Sequence, residues 1–260
     1  MNEALADAPG VFGKLPNQGD FIQRHLPGSF IEPWDRWLQE SIACSREQLG
    51  ERWLDIYLTS PMWRFLLSPS IAGQAPWAGV LMPSVDRVGR YFPLTLACAL
   101  PQHLNPLEAM TGNDAWFARS EALLLSCLEE HFELQAFEHH LIDLGPLFAP
   151  SASSNVRVTG QGNRGSANAW RFETGGVTDL RAACPDLLRQ TLTELLFAYS
   201  LWWTEGSEHV APSLLVCQGL PPTEGFSGLL AGDWRRWGWH DRSLVLAPWP
   251  GNPVTKPSEP

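Results

Sequence analysis

The sequence predicts an α+β fold in which helices flank a mixed, largely antiparallel sheet. Its strand-like segments occur in clusters, and clustered strands favour an α+β or mixed-sheet sandwich over the strict strand–helix alternation of a Rossmann fold. The 260 residues are 44% hydrophobic, and a chain of this length buries roughly three quarters of the surface that its unfolded form exposes. No internal repeat is visible, so we expect one domain over residues 1–260.

The first predicted element is a helix that starts near Ser29. Ser29 and Glu32 have the spacing of a capping box, in which two side chains satisfy free backbone N–H groups at a helix start. Apolar residues then repeat at helical spacing, and Gly50 is placed to end the helix. This apolar face consists of Phe30, Trp34, Trp37, Leu38, Ile42 and Leu49.

Short strands follow this helix. The segments DIYLT (55–59), WRFLL (63–67) and WAGVLMP (77–83) are aromatic or β-branched and are bounded by Pro, Ser and Gly, which is typical of strands. The clearest strand is YFPLTLACAL (91–100), whose residues alternate between two faces. Pro93 has no backbone N–H, so we expect it at a sheet edge or at the beginning of the strand.

The second half of the chain returns to helices and then to strands. The pattern is helical from Pro106 to about Leu144, and Pro146 ends it. A further amphipathic helix is marked by Leu188, Leu192, Leu195, Leu196 and Tyr199. The last predicted elements are two strands, SLWWTEG (200–206) and SLLVCQGL (213–220), and a short helix in TEGFSGLLAG (223–232).

Two segments show neither helical nor strand periodicity, and they divide the predicted domain. Residues 146–180 are rich in Ser, Gly and Asn, which predicts a flexible insertion, and one hypothesis is that it becomes ordered when a partner binds. Residues 247–260 are rich in proline and predict an extended tail. The domain therefore has a motif-rich N-terminal part (10–145) and a C-terminal part of helices and strands (181–246).

The composition argues against several classes of function. Lys and Arg number 18 against 28 Asp and Glu, a net charge of −10, so the average surface repels nucleic acid. No apolar window reaches the ~18 to 20 residues of a membrane span, and the N-terminus lacks the apolar region of a signal peptide. Five cysteines without a C-x-x-C pair indicate free thiols of a reducing compartment. We therefore expect a cytoplasmic protein without membrane insertion.

The sequence does not match the known catalytic, nucleotide-binding or metal-binding motifs in both spacing and context. Gly13-Lys14 lacks the remaining residues of a Walker A motif, and GFSGL (225–229) misses the G-x-S-x-G pattern of serine hydrolases by one position. GQGNRG (160–165) matches a dinucleotide fingerprint but follows no strand. His139 and Asp143 share a helix face, yet no second group of metal ligands accompanies them. The sequence thus predicts a non-enzymatic protein without a metal or other cofactor.

Two polar clusters are the candidate site residues. The N-terminal cluster lies in GKLPNQGDFIQRHLP (13–27), which we expect to form a loop, and the second cluster lies in SVDRVGR (84–90). The members are Lys14, Asp20, Arg24 and His25 in the first, and Ser84, Asp86, Arg87 and Arg90 in the second. One interpretation is that Asp–Arg pairs, with Asp20 and Arg24 foremost, join two loops as a structural latch. The alternatives are a partner-binding surface, or a site for a small anionic ligand or an enzymatic substrate.

Three long blocks of the sequence resemble those of the TagF family, also called ImpM, of bacterial type VI secretion. They are FGKLPNQGDFIQRHLP (12–27), FIEPWDRWLQESIACSREQLGERWLDIYLTSPMWRF (30–65) and WAGVLMPSVDRVGRYFPLTL (77–96). The resemblance is dense from about Gly10 to Leu100 and sparse afterwards. It includes both polar clusters, together with aromatic positions Trp34, Trp37, Phe65 and Phe92, which we expect in the core.

The resemblance implies an α/β sandwich and a non-catalytic, cytoplasmic regulator. Members of the family act as post-translational repressors of apparatus assembly, through an FHA-domain scaffold protein of the secretion system. They oppose a pathway that a threonine kinase and a phosphatase also control. The expected partner of this chain is therefore the FHA-domain scaffold, while the small anionic ligand remains the alternative.

Overall fold

The computed structural model describes residues 8–101, 104–147 and 180–242, with side chains from residue 184 onward in the last range. The strands are β1 (Gly10–Lys14), β2 (Phe21–Arg24), β3 (Trp63–Leu67), β4 (Trp77–Met82), β5 (Leu94–Ala99), β6 (Tyr199–Thr204) and β7 (Ser213–Gln218). The helices are α1 (Gly28–Leu49), α2 (Trp53–Leu58), α3 (Pro106–Gly112), α4 (Asp114–Leu125), α5 (Leu134–Leu144), α6 (Leu180–Leu196) and α7 (Phe226–Ala231).

The seven strands form one sheet in the order β2-β1-β5-β4-β3-β6-β7. Every pairing between these strands is antiparallel, and helices cover both faces of the sheet. The α+β prediction is therefore confirmed. Within the described ranges, no helix combines the length and the hydropathy that crossing a membrane requires.

Alternate residues of the central strands divide the core into two layers. In β4, Val80 and Met82 face the layer formed with α3, α4 and α5, whereas Trp77 and Leu81 face the layer formed with α1, α2 and α7. Side chains on successive strand residues point to opposite faces of the sheet. Since helices cover both faces, both layers are buried. The strands WRFLL and WAGVLM read as continuous apolar runs for this reason.

A tryptophan cluster fills the layer beneath α1. Trp34 stacks on Trp202 of β6 with ring centroids 5.8 Å apart and lies 4.7 Å from Phe65 of β3. The Trp34 indole N–H donates to Thr95 Oγ1 at 2.8 Å. The aromatic positions expected in the core are all buried: Trp34, Trp37, Phe65 and Phe92.

The start of α1 differs from the prediction. The helix begins at Gly28, directly after Pro27, and no side chain caps it. Ser29 therefore lies inside the first turn, and the predicted capping box is wrong. The extended backbone of Pro27 lets its own carbonyl accept the amides of Phe30 and Ile31 at 3.0 and 3.1 Å, so the first turn closes without a side-chain oxygen.

Two strand and helix assignments are also wrong. The segment DIYLT lies largely in α2, where Trp53, Ile56 and Tyr57 are buried at the i, i+3, i+4 spacing of a helix. Tyr199 ends no helix but starts β6, where it is buried. Short apolar runs are compatible with either period, and packing against the sheet decides between them.

The predicted loop at 13–27 is instead largely a β-hairpin. β1 pairs with β2 through Val11↔Arg24 to Lys14↔Phe21, and its other edge pairs with β5. Pro93 directly precedes β5, at the beginning of the strand, and β5 lies between β1 and β4 inside the sheet. The predicted insertion (146–180) lies outside the described residues except for 146, 147 and 180, and the predicted tail (247–260) lies outside them entirely.

Candidate functional site

The two polar clusters meet at Asp86. Lys14, the last residue of β1, donates from Nζ to Asp86 Oδ2 at 2.6 Å, and Arg90 Nε donates to the same oxygen at 2.6 Å. Oδ1 accepts the backbone amides of Val88 and Arg90 at 3.0 and 2.8 Å. Both oxygens of one carboxylate are therefore engaged by four donors from two segments of the chain.

Asp86 and Lys14 are an internal ion pair. They are 3% and 5% exposed. Burial by itself raises the pKa of Asp86, but the hydrogen bonds from Lys14, from the amide and guanidinium of Arg90 and from the Val88 amide outweigh it and hold that pKa well below its ordinary value. Asp86 is thus ionised at neutral pH, and with two cations against one carboxylate the trio has a net charge of +1.

Ser84 connects the same segments through the backbone. Its Oγ donates to the Lys14 carbonyl at 2.7 Å. The Tyr57 hydroxyl of α2 donates to the Ser84 carbonyl at 2.9 Å and accepts the Ser84 amide at 3.0 Å. Burial raises the pKa of Tyr57 far above its usual range, so the hydroxyl remains a neutral donor. We call Lys14, Tyr57, Ser84, Asp86 and Arg90 the Asp86 network.

The tip of the hairpin is joined to the second cluster by two further contacts. The Arg90 guanidinium donates to the Gly19 carbonyl, and the Arg87 amide donates to the Gln18 carbonyl at 3.1 Å. Gly89, at φ 84°, allows the tight turn that returns the chain from Asp86 to Arg90. The hairpin tip and the 84–90 segment are therefore joined by hydrogen bonds into one unit.

Four predicted site residues lie outside this network, and one of them, His25, has its Nδ1 atom 3.2 Å from the Pro9 carbonyl oxygen. Asp20 is exposed, and no side chain of the described ranges contacts its carboxylate. Arg24 Nε donates to Glu138 Oε1 of α5 at 2.6 Å instead of to the second cluster. The Arg87 side chain is exposed. The expectation that Asp20 and Arg24 join two loops is thus wrong, because the strand register directs Lys14 to Asp86 and Arg24 to the neighbouring helix.

A surface groove of about 560 Å³ lies beside the Asp86 network. Its lining includes Arg46 of α1, Trp53 of α2, and Arg90 and Tyr91 of the segment before β5. Arg46 Cζ lies 4.3 Å from the Trp53 ring centroid and 6.0 Å from that of Tyr91. Sequence reasoning missed this groove, since Trp53 falls next to the segment misassigned as a strand and nothing local links Arg46 to Tyr91.

The remaining chemical candidates have ordinary structural roles. Burial raises the pKa of the Cys127 and Cys217 thiols to about 12, which suppresses the reactive thiolate. Glu138, which precedes His139 in α5, pairs with Arg24. Among the residues that the structure describes, no group of three or more His, Cys, Asp or Glu is arranged to hold a metal ion.

Both the sequence and the structure are similar to known proteins. The family model described as TagF N-terminal domain, Type VI secretion system-associated, matches residues 10–144. Among solved structures, PA0076 from Pseudomonas aeruginosa PAO1 is 37% identical, with a TM-score of 0.71, and the match covers 95% of this chain and 100% of that chain. A search of curated proteins found no match.

Proposed function

Because this chain belongs to the TagF family of type VI secretion-associated proteins, we propose that it is a non-catalytic regulator that represses assembly of the secretion apparatus. In this proposal the protein acts post-translationally in the cytoplasm, by binding the FHA-domain scaffold protein of the secretion system. The choice of this scaffold as the partner rests on the family resemblance.

The observation that carries the proposal is the pairing within the Asp86 network. A catalytic or small-ligand site at these residues would need several cations that converge on one bound group, but Lys14 donates to Asp86 inside the protein, which leaves Arg90 as the one exposed cation of the network. Lys14 is also 5% exposed, so a substrate cannot reach its ammonium group. Residues arranged in this way hold a surface in one shape, which suits binding to another protein better than chemistry on a substrate.

The alternative function, an anionic small-ligand or enzymatic domain, has less support at the predicted residues. Arg24 is paired with Glu138, and Arg90 is paired with Asp86. Only Arg87 among the predicted cations has no ion pair in the part of the chain that the structure describes. Arg87 and the partly engaged Arg90 lie on one exposed turn, which is too little to enclose a small ligand.

The experiment that tests the proposal is a direct binding measurement with purified components. The protein would be titrated against the FHA-domain scaffold of the same secretion system by biolayer interferometry, with the scaffold unphosphorylated and after treatment with its kinase. We expect saturable binding to at least one form of the scaffold. Absence of binding to both forms, with the fold of each protein checked by circular dichroism, would refute the proposed partner.

A further inference from the structure

The groove beside the Asp86 network is cationic on an otherwise acidic protein. Its lining contains two arginines, Arg46 and Arg90, and one acidic residue, Glu51, whereas the whole chain has a net charge of −10. Arg87 is exposed on the same turn as Arg90, which extends the positive region along the 86–91 segment. A local reversal of sign attracts a negatively charged partner to this place and not to the remaining surface.

Arg46 is held with its hydrogen-bonding edge free. Its guanidinium carbon lies over the Trp53 ring, 4.3 Å from the centroid, a cation–π contact that positions the group. Among the described residues, its N–H groups donate no hydrogen bond. Across residues 8–101, 104–147 and 184–242, no carboxylate forms an ion pair with Arg46. Arg46 is therefore a positioned cation without an internal counter-ion.

Arg90 contributes the excess charge of the Asp86 network. Its side chain is 58% exposed although its Nε is bound to Asp86. The buried Lys14 already neutralises the negative charge of the Asp86 carboxylate. The positive charge of Arg90 therefore remains unbalanced, and Arg90 presents it at the groove. The contacts of Arg90 with Asp86 and Gly19 fix the guanidinium beforehand, which lowers the entropy cost of binding an anion.

The other lining residues indicate a peptide as the occupant. Tyr and Arg are among the residue types that contribute most of the binding energy in protein interfaces, and Tyr91 and the two arginines are of these types, while the buried Trp53 supports Arg46 from below. Leu54, 37% exposed, also lines the groove, and Val88, 65% exposed, lies next to the lining residue Gly89. Exposed apolar residues beside arginines complement a segment that combines acidic residues with interspersed apolar ones.

We propose that the groove between α1, α2 and the 86–91 segment docks an extended acidic segment of a protein partner, with Arg46 and Arg90 binding its carboxylates. This inference rests on the proposed function, since it assigns a surface to the regulatory interaction. The occupant is a carboxylate-rich peptide; a phosphorylated peptide is a different outcome of the test below.

The first test uses a fluorescein-labelled peptide, Gly-Glu-Leu-Asp-Glu-Leu-Asp-Gly, and its neutral counterpart with Gln and Asn in place of Glu and Asp. Fluorescence anisotropy would measure binding to the full chain, to Arg46→Glu and to Arg36→Ala. Arg36 is an exposed arginine of the same helix that does not line the groove, so it is the matched control. A second groove variant, Arg46→Gln, removes the charge without reversing it.

We expect the acidic peptide to bind the wild type and Arg36→Ala alike, and to bind both Arg46 variants at least about tenfold more weakly. The neutral peptide should bind weakly to every protein, and added salt should weaken the acidic complex. The inference is overturned if the acidic peptide does not bind the wild type or binds all variants equally. It is also overturned if a peptide with phosphothreonine in place of the acidic residues binds through Arg46 while the acidic one does not.

Parallel titrations of the FHA-domain scaffold separate this inference from the proposed function. Equal scaffold binding by the wild type and by Arg46→Glu would reject the groove as the docking surface while keeping the regulatory partner. Acidic-peptide binding that depends on Arg46, together with no scaffold binding, would reject the proposed partner while keeping the groove. Loss of both interactions in Arg46→Glu, with an unchanged circular dichroism spectrum, is the result that we expect.

Discussion

Lys14 and Asp86 are 72 positions apart in the chain and form a 2.6 Å ion pair inside the protein. The pair connects the β1–β2 hairpin to the segment before β5. Since β1 and β5 are also neighbours in the sheet, the ion pair continues an existing strand contact from the last residue of β1 to the segment before β5. It fixes the wall of the groove from which Arg90 projects.

Replacement of Asp86 by asparagine should destabilise the fold strongly. Asp86→Asn keeps the volume but leaves Lys14 as a buried cation without its counter-ion, the costly way to break such a pair. Asp20→Asn, at an exposed carboxylate without a contact in the described ranges, is the matched control and should leave the urea midpoint unchanged. Equal midpoints for the two variants would mean that the ion pair contributes nothing to stability.

The stability of the protein should fall with acid through Asp86. Its folded pKa lies below the ordinary 3.8, so the unfolded chain takes up a proton at this group more readily than the folded chain does. The stabilisation of the folded state by the ionised Asp86 carboxylate is therefore fully present above the pKa of this group in the unfolded chain. It is lost as the pH falls towards the pKa of Asp86 in the folded protein. Urea midpoints measured from about pH 5 to about pH 2 should decline less steeply in Asp86→Asn than in the wild type.

A methyl group at Gly79 should disrupt the centre of the sheet. A Cβ on this β4 residue would collide with the Leu96 carbonyl oxygen of β5 and with the Phe65 ring of β3. Gly79→Ala should cost about 1 to 3 kcal/mol in the free energy of unfolding. Gly19→Ala is the control, because among the described residues no atom other than those of Gly19 and its chain neighbours lies within 4 Å of the added Cβ; a similar loss in both variants would contradict the packing argument.

The hydrogen bond between Trp34 and Thr95 should be measurable by chemical denaturation. Thr95→Val removes the acceptor and leaves a buried indole N–H unsatisfied, at a cost of about 1 to 3 kcal/mol. Thr193→Val, at an exposed threonine of α6, should change stability by less than about 0.5 kcal/mol. In a double-mutant cycle with Trp34→Phe, additive losses would show that the two side chains are not coupled.

The buried thiols should resist modification until the protein unfolds. Burial raises the pKa of Cys127 and of Cys217 to about 12, so almost no thiolate forms at pH 8. Mass spectrometry after brief iodoacetamide treatment should find these two cysteines alkylated in urea but not in buffer. Cys184, which is exposed, serves as the internal control and should react in both conditions.

The sequence predicts most elements because their signals are local. The strands β3, β4 and β5 and the extent of α1 follow from residues within one or two turns or pleats of each other. The exceptions are instructive. DIYLT is compatible with a helix or a strand, and the choice is made by the burial of Trp53, Ile56 and Tyr57 in the layer beneath the sheet.

The sequence predicts which residues belong to the candidate site but not which side chains pair with one another. The sequence alone indicates Lys14, Asp86 and Arg90 as candidate site residues, and its contiguous blocks indicate the family. Only the tertiary structure decided that Lys14 pairs with Asp86, that Arg24 pairs with Glu138 at a distance of 114 positions, and that Arg46 lies beside Arg90 at one groove. Local periodicity depends on near neighbours in the chain, whereas these pairings depend on strand register and on helix packing, which no short stretch of sequence encodes.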